Sequence, residues 1–118
     1  TLGYRQNFEE QPVQMNGAVW WQIAEDRQVA ASNSGVVVFI GHLDQGGLTI
    51  VVHHGLGLST WYYGLSEVLV EEGDIVISGQ IMGSVWAQED DVWFGTQAVL
   101  SGVSLDPDQF WGKSWLEN

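Results

Sequence analysis

At 118 residues, 45% of them apolar and seven of them Trp, the chain can build one hydrophobic core, which excludes intrinsic disorder and a second full domain. Fifteen acids against Arg5, Arg27 and Lys113 give a formal net charge of −12, so nucleic acid and anionic membrane surfaces, which need clustered Lys and Arg, are excluded as partners. The absence of cysteine excludes a disulfide framework, a thiol nucleophile and a thiolate metal site.

In chain order, residues 1–15 read as a polar, extended lead-in, with Tyr4 and Phe8 as anchors and Pro12 ending any regular element. Residue 1 is Thr, as expected of an excised domain or a mature form. Gly17–Ile23 is β-like, Ala24–Gln28 is a charged turn, and Val29–Ser34 leads to Gly35. Val36–Ile40 is a continuous apolar run, the pattern of a strand buried on both faces, and His42–Gly47 is a polar turn. Thr49–His54 and Leu58–Leu65 flank Gly55-Leu56-Gly57 and predict a hairpin. Val68–Val70, Ile75–Ile77 and Ile81–Gly83 are short strands between glycine turns, a spacing that suits a strongly bent sandwich or barrel. Val92–Leu100 is a strand, Val103–Leu105 pairs back on it, and Asp108–Trp111 forms one helical turn before a tail at residues 113–118. No window carries sustained helical periodicity or an apolar run long enough to span a bilayer, so the chain reads as all-β without membrane insertion by this domain.

The ordered set Gly35-Val36-Val37-Val38, His54-Gly55-Leu56-Gly57, Thr60-Trp61-Tyr62, Gly73-Asp74, Gly79-Gln80-Ile81-Met82-Gly83 and Asp106-Pro107 resembles the LytM or M23 (lysostaphin-type) peptidase domain. The resemblance runs from about Gln11 to Trp111, with the domain placed at 16–112. It implies a compact antiparallel β-sandwich or barrel-sandwich hybrid with a groove on one face, and the chemistry of a zinc endopeptidase of peptidoglycan. Biotinyl and lipoyl carrier domains share the glycine-punctuated pattern but need a lysine at a hairpin tip, and the sole lysine here is Lys113 in the tail.

A hydrolytic zinc takes three protein ligands and an activating position for water. By the resemblance, a His and an Asp come from a His-x-x-x-Asp motif, which falls on Asn16 and Trp20. A catalytic His would follow the Tyr of Tyr-x-His-Leu, where Gly64 stands. The later His-x-His motif falls on Trp93-Phe94-Gly95 in one register and on Asp91-Val92-Trp93 in another, and neither contains a histidine. The resemblance therefore implies an inactive form with no cofactor.

Among the remaining polar residues, a mixed metal site of His42 or His53 with Asp91 stands as the alternative to reading them as structural or solvated. His53 and His54 are adjacent on a strand and point to opposite faces, so they cannot chelate together. His54 matches a structural histidine of the family, and His42 reads as solvated in its turn. Ser59, Thr60 and Ser66 have no spaced triad partners, and no Gly-x-Ser-x-Gly elbow occurs.

Trp20 and Trp93 stand where metal ligands would lie, either as groove anchors or as core filling; Trp21 should face the core, and Trp61, Trp86, Trp111 and Trp115 read as packing residues. The groove is expected to comprise Asn16, Trp20, Tyr63, Gly64 and Trp93. The resemblance implies a binding domain that regulates or scaffolds a cell-wall hydrolase or an envelope complex, outside the cytoplasm, through a basic or apolar segment of the partner. Direct peptidoglycan binding is the alternative, and a metallopeptidase with unconventional ligands the third reading.

Overall fold

The computed structural model describes residues 13–15, 17–87 and 92–106. It contains β1 (Val13–Met15), β2 (Ala18–Gln22), β3 (Arg27–Ala30), β4 (Gly35–Leu43), β5 (Gly47–Gly55), β6 (Leu58–Tyr63), β7 (Glu67–Val68), β8 (Ile75–Val76), β9 (Ile81–Val85), β10 (Trp93–Leu100) and β11 (Val103–Ser104). An eight-stranded sheet runs in the order β1-β2-β10-β6-β5-β4-β8, with β11 paired to β10, and a three-stranded sheet runs β3-β9-β7. Every strand pairing is antiparallel. No helix occurs among the described residues, so none could cross a membrane as a helix there. The expected all-β architecture is therefore present.

Alternation along the strands sends one face of the large sheet to the core. Trp21, Ile50, Val52, Tyr62, Phe94 and Ala98 lie on that face, and Val29, Met82 and Val85 close it from the small sheet. Trp21 is 1% exposed and stacks on Phe94 at 6.3 Å, in the role its position predicted. The opposite face carries Trp20, Gly95, Gln97, Trp61 and Tyr63.

The hairpin between β5 and β6 turns through Leu56 and Gly57, both at positive φ (55° and 81°), the geometry of a tight two-residue connection whose twist matches the strands. Ser101 N–H donates to the Gly57 carbonyl at 2.8 Å and locks the neighbouring β10–β11 tip to it.

Three expectations need correction. Val36–Ile40 is not buried on both faces: it lies within the longer β4, where Val36 is 39% and Val38 51% exposed and only Val37 is fully covered. The reason is direction: Val37 faces the core, whereas its neighbours Val36 and Val38 point to the other face of the sheet. His42 lies in β4 opposite Leu48 rather than in a turn. The charged turn after β2 is also shorter than expected, because Arg27 and Gln28 already pair with β9. The helical turn expected at Asp108–Trp111 lies outside the described residues, as do Trp111 and Trp115.

Candidate functional site

Trp20, Gly95 and Tyr63 form one row across β2, β10 and β6: Gly95 is the direct cross-strand partner of Trp20 on one side and of Tyr63 on the other. With no side chain between them, the two large rings meet over the glycine. Their centroids lie 5.4 Å apart and their planes 22° from parallel, within the range of a favourable offset stack. A Cβ on Gly95 would stand 2.7 Å from the Trp20 ring, so the indole occupies the space that a side chain at position 95 would need. Trp61 adds a third ring 6.2 Å from Tyr63, and its indole N–H donates to Ser59 Oγ at 3.3 Å.

This aromatic row lines an open cleft of about 390 Å³. Met15 and Ala18 form one wall, Leu43, Gln45 and Gly46 of the β4–β5 turn the other, and Gln97 the floor beside Tyr63. The wall at Gly46 needs a glycine, because a Cβ there would stand 2.7 Å from the Tyr63 ring. Tyr63 O–H donates to Gln97 Oε1 at 2.6 Å, and Gln97 in turn donates to Ser104 Oγ, so the polar end of the ring is tied to β11. Burial raises the Tyr63 pKa above its ordinary value of 10.0.

Gly64 follows Tyr63 at φ +84°, with the Trp93 carbonyl packed where its Cβ would be. Two separate constraints therefore exclude a side chain at this position, one from backbone conformation and one from space. Trp93 itself pairs with Gln22, two residues along β2 from Trp20, and is half-buried. Of the expected groove residues, the structure brings Trp20 and Tyr63 into contact and sets Gly64 against the Trp93 backbone; Asn16 lies outside the described residues, as does Asp91.

Two tryptophans read as packing residues sit elsewhere than expected. Trp61 belongs to the aromatic face because it shares strand parity with Tyr63, a signal that the alternation of β6 already carried. Trp86 is 37% exposed just beyond β9. Met15, Leu43, Gln45 and Gln97 also line the cleft and were not anticipated. Only the folding of the β4–β5 turn against β2 and β6 assembles them, and no local pattern announces it.

His53 and His54 serve the scaffold. His54 Nδ1 lies 2.7 Å from the Ser34 carbonyl, so that nitrogen carries the proton, and Nε2 lies 2.8 Å from Thr60 Oγ1. Thr60 in turn contacts Tyr62 O–H at 2.9 Å, and Ser32 N–H donates to that phenol oxygen at 3.0 Å. This chain of hydrogen bonds crosses from the β3–β4 connection to the core. His53 Nδ1 accepts from Gly55 N–H at 3.3 Å and is exposed. Among the described residues, no three His, Cys, Asp or Glu side chains converge in a way that could hold a metal ion.

A model of peptidase family M23 matches residues 14–101. Stage II sporulation protein Q of Bacillus subtilis (strain 168) is 34% identical over 93 residues, covering 75% of this chain and 33% of that protein. The chain thus spans about a third of the length of this relative. A chain in the structure of the SpoIIQ-SpoIIIAH pore forming complex is similar at 32% identity and a TM-score of 0.68, over 78% of this chain and 62% of that one. The antimicrobial peptidase lysostaphin from Staphylococcus simulans shares the fold, with a TM-score of 0.72 and 24% identity over 88% of this chain and 49% of that one. Together with Trp20, Gly64 and the histidine-free β10, these matches establish that the chain belongs to peptidase family M23 as a degenerate member, a pseudoenzyme without the family's zinc ligands and catalytic histidine.

Proposed function

We propose that this domain works by binding: it holds a segment of a partner protein in the aromatic cleft and thereby scaffolds an envelope complex or regulates a cell-wall hydrolase, outside the cytoplasm. The observation that carries this reading is the Trp20–Tyr63 stack over Gly95 in an open cleft. If the His-x-His motif takes the register Trp93-Phe94-Gly95, then Gly95, directly opposite Trp20 in the sheet, is a second former ligand position, and the indole lies over it. Large, rigid, half-exposed rings in a pocket are the usual anchors of protein interfaces. The similarity to chains of the SpoIIQ-SpoIIIAH complex supports a protein partner of the SpoIIIAH type, and the net charge of −12 supports a basic one.

A second reading is direct peptidoglycan binding, favoured by the half-exposed Trp20 and Tyr63 rings beside the Gln45 amide in the cleft, a combination that can pack against a sugar and bond its hydroxyls. Titration of the domain with a purified SpoIIIAH-type partner, and in parallel with purified sacculi, separates the two. Trp20→Ala should weaken partner binding strongly while leaving a cooperative melt. Sedimentation with sacculi, unaffected by partner, would favour the glycan reading. Loss of the cooperative melt would show that the Trp20 indole serves as core.

A further inference from the structure

Cover over the outer edge of β4 thins along the strand. Gly35 and Val36 pair with β8. At Val37 the backbone of the Glu71–Asp74 turn takes over: Val37 N–H donates to the Asp74 carbonyl at 2.9 Å, and Gly73 N–H to the Val37 carbonyl at 2.7 Å. At Ile40 only a side chain remains, the Glu72 carboxylate, which accepts the outward N–H at 2.9 Å in an exposed position. Strand residues alternate in direction, so the His42 backbone faces outward as Ile40 does. From the Ile40 carbonyl to the His42 carbonyl, this edge has no strand partner among the described residues. His42 and Asp44 are both exposed there.

An open strand edge is a template for another strand, and charge placed on it is a common block. Glu72 is a removable block: it touches the edge through one hydrogen bond and swings on a flexible side chain. We propose that the β4 edge from Ile40 to His42 is a docking site for an extended, basic segment of another protein. That segment adds as a strand, takes the Ile40 N–H from Glu72, and leaves Glu72 to face its Lys or Arg side chains. The occupant follows from charge. Glu71, Glu72 and Asp74 stand at one end of the edge and Asp44 at the other, while the only Lys or Arg among the described residues is Arg27, on β3 in the second sheet. A second copy of this chain would bring the same carboxylates, and another −12, against them. Main-chain bonds would supply affinity and the flanking acids selectivity for a basic strand.

The test is a titration of the ¹⁵N-labelled chain with a capped peptide of alternating Val and Lys, and with the same peptide N-methylated at alternate residues. The expected result is hydrogen-exchange protection and shift changes centred on Ile40 and His42, an affinity that falls with salt, and no binding of the N-methylated peptide. His42→Pro removes an outward N–H that β5 does not use, a change edge strands tolerate. It should keep the melting temperature within a few degrees and weaken the peptide by about tenfold or more. Shift changes confined to Trp20, Tyr63 and Gly95, equal binding of the N-methylated peptide, no binding at millimolar concentration, or a β4-mediated dimer of the chain alone would each overturn the proposal.

Discussion

Gly95→Ala adds a single methyl group and tests whether the Trp20 indole fills the space over this position. Its Cβ would lie 2.7–2.8 Å from three atoms of the Trp20 ring, closer than real Cβ contacts come. The ring is no flexible tip, because Tyr63 backs it at 5.4 Å. Overpacking of this kind costs about 1–3 kcal/mol, and lifting the indole also forfeits part of a stack worth about 0.5–1.5 kcal/mol. Against this, Gly→Ala at a compatible backbone position stabilises by about 0.4–1 kcal/mol through the unfolded chain, and Gly95 is not among the glycines at positive φ. The net expectation is a loss of about 1–3 kcal/mol, or a melting temperature lower by several degrees. In a Trp20→Ala background the clash is gone, so the same substitution should become neutral or slightly stabilising. A double-mutant cycle by urea denaturation reads this reversal of sign as a coupling energy of about 1–3 kcal/mol. An equal cost of Gly95→Ala in both backgrounds would refute the idea that the indole occupies this space.

Two further predictions follow from the same face of the sheet and the core behind it. Gly64→Ala should destabilise by about 2–4 kcal/mol, since it combines a left-handed φ of +84° with a collision against the Trp93 carbonyl, and thermal melts of the variant check it. A small effect there would mean that β10 can move away from β6. Alkaline pH gives the other test. Burial raises the Tyr62 pKa above 10.0, with hydrogen bonds from Ser32 and Thr60 pulling weakly the other way, and burial raises Tyr63 as well. Both phenols then hold their protons in the folded state while the unfolded chain releases them from about pH 10. The stabilisation is complete below that pH and is lost as pH rises through the folded values, so denaturation midpoints should fall above pH 10 together with a delayed phenolate absorbance. Tyr62→Phe should shrink the pH dependence; an unchanged slope would assign it to other groups.

The strand sequence of this protein is largely written in local chemistry. Runs such as Thr49–His54 and Leu58–Tyr63, joined through Leu56-Gly57, leave one hairpin register, and Trp20-Trp21 must split between opposite faces because strand side chains alternate. The loss of the ligand positions is equally visible, since a residue type either can bind zinc or cannot. Local pattern fails where an outcome depends on neighbours distant in the chain. Val36–Ile40 has the composition of a central strand, yet Val36 and Val38 are exposed because the second sheet packs on only the face that Val37 shares. The fate of Trp20 likewise depends on Gly95 and Tyr63, 75 and 43 positions away by subtraction of their numbers, meeting it in one row across three strands. Sequence alone determined that this is an all-β chain whose hydrolytic site is dismantled. Tertiary structure decided where the Trp20 indole lies, because the space over a glycine belongs to whichever neighbour the sheet register brings alongside.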